Sequence, residues 1–162
     1  MVEIIPAILT TTYEDLKNKI SLVRGITSVA QVDFCDGVFV PSLTWPFLSR
    51  VEYGDNEESF FENDFDQHFR NIINEQEGLP FWEDIDFEFD LMVANAVENF
   101  DTYMKLGPRR IIFHIEAEDD TNECIEYIKS KGLEVGLAIN NQTPVEKLQP
   151  FVDKIDIVLV MT

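Results

Sequence analysis

Stretches with a strand-like pattern alternate with stretches with a helix-like pattern along the whole chain, and this alternation restricts the fold most strongly. Strands are predicted where β-branched and aromatic residues form short apolar runs or alternate with polar residues, at 2–9, 29–36, 85–93, 110–116, 133–139 and 156–161. Helices are predicted where apolar residues recur at helical spacing, at 12–24, 65–77, 95–106, 121–131 and in a short segment from residue 143. Six strands separated by five helices predict a parallel sheet with right-handed crossover connections.

Local signals also predict where the helices begin and end. Thr12 is predicted to cap the first helix, because an acidic residue follows three positions later. Asn63 or Asp64 is predicted to cap the second helix, which we expect to end at Gly78. Pro144 is predicted as the first residue of the last, short helix, where a missing N–H has no cost.

Two architectures satisfy a strict alternation of strands and helices: a doubly wound open sheet and a (β/α)₈ barrel. No glycine-rich phosphate-binding fingerprint follows the first predicted strand, which argues against a dinucleotide-binding fold. Acidic residues lie at the carboxyl ends of predicted strands, where barrel active sites assemble. The pattern therefore favours a barrel.

The strand at 29–36 carries an unusual polar face. Gln31, Asp33 and Cys35 share one face of this strand by period-2 alternation. Because a buried carboxylate without a partner is costly, Asp33 indicates either a functional site or a structural network. In the structural alternative, Asp33 caps a neighbouring helix or belongs to a hydrogen-bond network. Spacing alone gives the two interpretations about equal weight.

The acidic composition restricts the partners of the chain. Its 31 acidic and 12 basic residues give a formal net charge of −19, which repels nucleic acids and anionic membranes, so we expect neither as a partner. Cys35 and Cys124 form no CxxC pair, so neither a zinc ribbon nor a disulfide scaffold is predicted. No basic, apolar leader and no run of membrane-spanning length is found in the sequence. We therefore expect a soluble, cytoplasmic protein.

Residues 45–84 interrupt the tight alternation with an acidic, phenylalanine-rich insertion. Between Glu52 and Asp90 there are 14 acidic residues and one arginine. The acids are predicted to form a solvated face, and the segment 50–62 a long loop. A metal-buffering role is disfavoured because the acids lack EF-hand spacing. We predict one domain over residues 1–162 that contains this insertion.

Six short motifs occur in a fixed order along the chain. They are Pro6-Ala7-Ile8-Leu9, Val32-Asp33 through Asp36-Gly37 to Phe39-Val40-Pro41, Asp90-Leu91-Met92-Val93, Phe113-His114-Ile115-Glu116-Ala117, Gly136-Leu137-Ala138-Ile139-Asn140 and Val158-Leu159-Val160-Met161-Thr162. Together they resemble the ribulose-phosphate 3-epimerase family. The resemblance implies a (β/α)₈ barrel that interconverts ribulose 5-phosphate and xylulose 5-phosphate by metal-assisted proton transfer at C3, with two aspartates.

The resemblance also implies a set of site residues. Asp33 matches the first catalytic aspartate of the family, which is also a metal ligand, and Gln31 and Asp90 stand where the family has metal-binding histidines. Positions that line the substrate pocket of the family are occupied by Ala7, Cys35, Met92 and Met161. The implied metal is Mg²⁺, Mn²⁺, Zn²⁺ or Fe, and an oxygen-rich set favours Mg²⁺ or Mn²⁺.

One further motif residue receives a structural interpretation. His114 keeps the Phe-His motif of the family, but a lone histidine in a strand is more often a core residue with satisfied hydrogen bonds. We therefore do not predict a catalytic role for His114.

The sequence stops before two features that the resemblance implies. The family continues into a glycine-rich phosphate loop, and its seventh and eighth strands carry the second catalytic aspartate. We therefore expect an incomplete barrel with about six strands and five to six helices, and a homo-oligomer formed through open sheet edges. Two hypotheses follow: an epimerase-like isomerase acting on a sugar phosphate, or a catalytically inactive truncated barrel that acts as a binding or assembly module.

Overall fold

A computed structural model describes residues 2–49, 65–117 and 120–162. Six strands and four α-helices alternate in this part of the chain, and a 3₁₀-helix precedes the last strand. The elements are β1 (Ala7–Ile8), α1 (Tyr13–Val23), β2 (Val29–Cys35), α2 (Gln67–Ile73), β3 (Asp86–Met92), α3 (Ala96–Met104), β4 (Arg110–His114), α4 (Thr121–Ser130), β5 (Glu134–Ile139), the 3₁₀-helix (Val145–Leu148) and β6 (Ile157–Val160).

The six strands form one parallel sheet in the order β1-β2-β3-β4-β5-β6. This is an incomplete α/β barrel, a half-barrel in which each strand lies beside the next one in sequence. The prediction of an incomplete (β/α)₈-type barrel with a parallel sheet is thereby confirmed. No helix in the described ranges is both long enough and apolar enough to cross a membrane.

The convex face of the sheet packs against the helices and forms the hydrophobic core. Period-2 alternation places Ala30, Val32 and Phe34 of β2 on this face, and all three are buried. Phe89 of β3 meets Phe34 edge-on, with the ring centroids 5.0 Å apart. Complete burial of each large apolar side chain contributes about 1.5–3 kcal/mol, so this face holds the half-barrel together.

The helix-start predictions have mixed outcomes. Thr12 caps α1 as predicted, because its side-chain oxygen accepts a hydrogen bond from the backbone N–H of Asp15. The predicted caps of the second helix, residues 63 and 64, lie outside the described residues. In the structure Asp66 caps α2 by accepting from the backbone N–H of His68. That helix ends at Ile73, earlier than predicted, and turns follow.

Two predicted elements are shorter or different in the structure. The first strand covers only two residues instead of 2–9, since Pro6 has no N–H to donate and the side chains of Val2 and Ile4 are exposed. The short helix from residue 143 is a 3₁₀-helix, and Pro144 is its N-cap instead of its first residue. Part of the insertion at 45–84, including the whole predicted loop at 50–62, lies outside the described residues.

Candidate functional site

The concave face of the half-barrel carries the second set of alternating side chains. In register across the sheet these are Gln31, Asp33 and Cys35 of β2, Glu88, Asp90 and Met92 of β3, Arg110, Ile112 and His114 of β4, and Glu134, Gly136 and Ala138 of β5. A Cβ atom on Gly136 of β5 would lie 2.7 Å from side-chain carbons of both Ile112 of β4 and Ile157 of β6, so these three positions share one face of the sheet. Most polar residues predicted for the site therefore share one surface.

Asp33 lies in the middle of this surface, next to Asp90 in the strand register. Its Oδ1 accepts a hydrogen bond of 2.7 Å from the Nε2 of Gln31. Burial raises the pKa of the Asp33 carboxyl to about 6; the Gln31 hydrogen bond opposes this rise, and the negative charges of Asp90 and Glu88 add to it. A carboxyl that titrates near neutral pH is suited to both accepting and returning a proton.

A row of buried polar groups continues from Asp90 toward the carboxyl end of β4. The Oδ1 of Asp90 lies 3.4 Å from the Nε2 of His114, and the Nδ1 of His114 lies 3.7 Å from the Oε2 of Glu116. None of these four atoms has a hydrogen-bond partner among the described residues. His114 is buried, as a core residue would be, but the expectation of satisfied hydrogen bonds is wrong.

Glu116 connects this row to the loop after β5. Its Oε1 accepts a hydrogen bond of 2.9 Å from the backbone N–H of Asn140 and another from the hydroxyl of Thr143. Burial would raise the pKa of the Glu116 carboxyl, but these hydrogen bonds and the nearby His114 outweigh burial and lower it. Glu116 therefore holds the end of this row in place as a carboxylate.

An ion-pair network lies one layer below Asp33, toward the amino ends of the strands. Arg110 donates to Glu88 on one neighbouring strand and to Glu134 on the other. The side chain of Glu88 is only 2% exposed and that of Arg110 is 11% exposed, whereas Glu134 is 40% exposed. Burial raises the pKa of the Glu88 carboxyl despite the opposing effect of Arg110. Arg110 is thus the counter-ion of a buried carboxylate.

The predicted substrate-lining residues lie on different parts of the concave face. Cys35 and Met92 lie side by side at the carboxyl ends of β2 and β3, and both are buried. Ala7 is exposed on β1, beside Gln31. Met161 follows β6, where its backbone N–H donates to the carbonyl oxygen of Ile139. The structure thus pairs Cys35 with Met92, and it leaves Ala7 and Met161 near the two edges of the sheet.

The predicted metal set of Gln31, Asp33 and Asp90 stays a prediction, and its donor atoms fit a divalent cation poorly. Gln31 turns its NH₂ group toward Asp33, so the carboxylate is engaged by a donor that cannot bind a metal. Asp90 faces the imidazole of His114 instead. Within the described ranges, no three His, Cys, Asp or Glu side chains are grouped so that they could hold a metal ion.

Three features of the site were not predicted from the sequence: the ion pairs of Arg110, the contact of His114 with Asp90 and the contact of Phe39 with His114. The ion pairs of Arg110 could have been predicted, because period-2 alternation places Arg110 on the same face of β4 as His114. The strand register then places it beside acidic residues of the adjacent strands. The contact of His114 with Asp90 follows from the same register argument. The contact of Phe39 with His114, at a centroid separation of 5.0 Å, had no sequence signal, because Phe39 lies in a loop.

Comparison with known proteins identifies related sequences over nearly the whole chain. The profile of the Ribulose-phosphate 3 epimerase family matches residues 66–162. Ribulose-phosphate 3-epimerase of Schizosaccharomyces pombe is 29% identical over 162 residues, which cover 99% of the chain and 60% of that relative. The cytoplasmic isoform of Oryza sativa subsp. japonica is 38% identical and the enzyme of Bacillus subtilis 26% identical, with 61% and 63% of those relatives covered. The chain thus spans about 60% of the length of these relatives.

Proposed function

The chain belongs to the ribulose-phosphate 3-epimerase family, and on that premise we propose that it is an epimerase-like isomerase that moves a proton at C3 of a ketopentose phosphate. The observation that carries this proposal is the position of Asp33. It lies on the concave face of parallel strands, beside a second carboxylate, and burial raises its pKa to about 6. Barrel enzymes assemble their catalytic groups from the carboxyl ends of such strands.

In the proposed reaction Asp33 acts as the base. The Asp33 carboxylate removes the C3 proton, the electrons of the C3–H bond form a C2–C3 double bond, and the C2 carbonyl oxygen becomes negatively charged. Return of a proton to the opposite face of C3 completes the inversion. General acid–base catalysis of this kind contributes on the order of 10²–10⁴-fold for each group. The family resemblance implies that the opposite-face acid is an aspartate of a later strand.

We assign the substrate-lining role to Ala7, Cys35, Met92 and Met161. Cys35 and Met92 form a small, apolar area next to Asp33 at the upper ends of their strands. Such an area suits the carbon chain of a sugar phosphate and excludes water from the reacting carbon. The relative named as a cytoplasmic isoform supports a cytoplasmic location for this chain as part of the same proposal.

Turnover of ribulose 5-phosphate to xylulose 5-phosphate tests the proposal. We expect conversion by the wild-type chain, loss of at least about 10²-fold with Asp33→Asn, and no change with Asp86→Asn. Asp86 is a matched control because it lies on the neighbouring strand, is exposed, and loses the same charge. Wild-type turnover that survives Asp33→Asn would reject the assigned role of Asp33.

A second candidate function is a non-catalytic binding or assembly module. The observation that favours it is the position of β6 at one edge of the described sheet, with its Val158 and Val160 side chains 38% and 55% exposed. Strand edges of this kind pair with other chains unless they are covered. Under this candidate we expect a homo-oligomer in sedimentation velocity and no turnover, and a monodisperse monomer would count against it.

A further inference from the structure

The connection after β2 is a closed loop whose ends are joined to each other. The backbone N–H of Thr44 donates to the carbonyl of Cys35 at 3.0 Å, and the hydroxyl of Thr44 accepts from the N–H of Cys35 at 2.8 Å. Asp36 and Leu43 form an isolated antiparallel bridge one position further along the loop. Gly37 provides the turn, with φ at +76°, a conformation that favours glycine. The residues between Asp36 and Leu43 therefore leave and re-enter the sheet at the same place.

The Asp36 carboxylate ties this loop to the next strand. Its Oδ1 accepts from the backbone N–H groups of Val38 and Phe39 at 2.8 and 2.9 Å, and its Oδ2 accepts from the N–H of Ala94 at 2.8 Å. Ala94 lies between β3 and α3, and the Asp36 side chain is completely buried. Hydrogen bonds from N–H groups to an ionised carboxylate are among the stronger ones in proteins. One side chain thus fixes the loop to the carboxyl end of β3.

The position that this tie fixes is that of Phe39. The Phe39 ring lies 5.0 Å from the His114 ring, centroid to centroid, at an interplanar angle of 57°. The Nε2 of His114 lies 3.4 Å from the Oδ1 of Asp90, and neither ring nitrogen of His114 has a hydrogen-bond partner among the described residues. An aromatic ring at this distance makes favourable contact with the imidazole and covers part of its surface, and the His114 side chain is only 1% exposed.

We propose that Asp36 is a positioning residue that holds the Phe39 ring against the His114 ring. Phe39 thereby shields His114 and keeps water away from the Asp90–His114 pair. Electrostatic interactions between such groups strengthen when water is excluded, because the local dielectric constant falls. The consequence of this shielding for proton transfer at C3, through Asp90 and its register neighbour Asp33, rests on the proposed function. The shielding of His114 by Phe39 is a property of the fold, and the accessibility of His114 can be measured without substrate.

Modification of histidine by diethyl pyrocarbonate, mapped by mass spectrometry, tests the shielding of His114. The chain contains two histidines, and His68 is 46% exposed, so it serves as an internal reference for the buried His114. We expect His114 of the wild type to react at least about tenfold more slowly than His68, as local opening limits access to a buried group. Asp36→Ala removes both carboxylate oxygens, and with them the hydrogen bonds from Val38, Phe39 and Ala94, and is expected to bring the two rates within about threefold of each other.

Asp36→Asn is the more selective variant. Its amide oxygen can still accept from Val38 and Phe39, but its NH₂ group cannot accept from Ala94. We expect an intermediate His114 rate with this variant, and a wild-type rate with the exposed control Asp86→Asn. The NMR signal of the His114 ring supplies a second readout, because Phe39→Leu is expected to remove the ring-current shift and Asp36→Ala to reduce it.

Several outcomes would overturn the proposal. One is wild-type His114 that reacts as fast as His68. Another is an unchanged His114 rate and ring-current shift in both Asp36 variants while Phe39→Leu removes the shift, since Phe39 would then be held without Asp36. If Asp36→Ala does not fold, as judged by circular dichroism, Asp36→Asn and Phe39→Leu decide the question. If no variant shows turnover but the modification rate of His114 changes as expected, the proposed function is rejected and the shielding of His114 by Phe39 is established.

Discussion

Replacement of Arg110 by methionine tests the ion-pair network on the concave face. The substitution keeps most of the side-chain volume but leaves Glu88, which is 2% exposed, without its counter-ion. Removal of one partner of a buried pair costs about 3–5 kcal/mol. The loss is limited because Glu88 can take up a proton instead, which at pH 7 costs about 3.7 kcal/mol for a carboxyl with a reference pKa of about 4.3. We therefore expect a loss of about 4 kcal/mol in the free energy of unfolding at pH 7.

The pH dependence of this loss has a definite sign. Burial already raises the pKa of the Glu88 carboxyl in the folded state, and removal of Arg110 raises it further. A carboxyl with a raised folded-state pKa makes the folded state bind more protons, so stability falls as pH rises from the unfolded toward the folded pKa. The cost of protonating Glu88 falls to about 1 kcal/mol at pH 5. The penalty of Arg110→Met is therefore expected to be larger at pH 7 than at pH 5.

Urea unfolding of the wild type and the variant at pH 5 and pH 7 measures both quantities. Arg109→Met is the matched control, because Arg109 pairs with Glu134, both side chains are more than one-third exposed, and an exposed pair contributes about 0–1 kcal/mol. The double variant Glu88→Gln, Arg110→Met is expected to recover much of the loss, since neither charge of the Arg110–Glu88 pair remains. A penalty below about 1 kcal/mol at pH 7, or one equal at both pH values, would refute the reasoning.

Two further substitutions test the concave face. Gln31→Leu is expected to raise the pKa of Asp33 above about 6, because the lost hydrogen bond stabilises the charged form; carbon-13 NMR of the Asp33 carboxyl measures this, and an unchanged or lower value would contradict it. Gly136→Ala is expected to cost about 1–3 kcal/mol in urea unfolding, because its Cβ would lie 2.7 Å from side-chain carbons of Ile112 and Ile157, and Ile112→Ala should restore part of the loss.

The sequence predicted elements best where one face of a strand packs against helices. In β3, Phe87, Phe89 and Leu91 alternate with polar residues, and the structure buries all three on the convex face. Local alternation carried this information because burial of apolar side chains dominates the energy of that face. The first strand was overestimated, because an apolar run does not show whether a neighbouring strand is present to pair with it.

The concave face was harder to predict because its energetics depend on neighbouring strands. Glu88 and Asp90 alternate with apolar residues, a pattern typical of a strand with one solvated polar face, and in the structure both are buried. Their burial is possible because Arg110 and His114 of β4 stand beside them, and that pairing has no local signature in either strand. The hydrogen bonds of Asp36 are of the same kind, since Ala94 lies 58 positions away in the sequence.

The most direct test of the account is exchange of the C3 proton of ribulose 5-phosphate in D₂O, followed by proton NMR. Exchange requires that the base remove the proton and return a deuteron taken from the solvent, but it requires no acid on the opposite face, so it isolates the role of Asp33. We expect exchange that rises with pH through an apparent pKa of about 6 and falls at least about 10²-fold with Asp33→Asn. Exchange no faster than in buffer, or exchange that Asp33→Asn leaves unchanged, would contradict it.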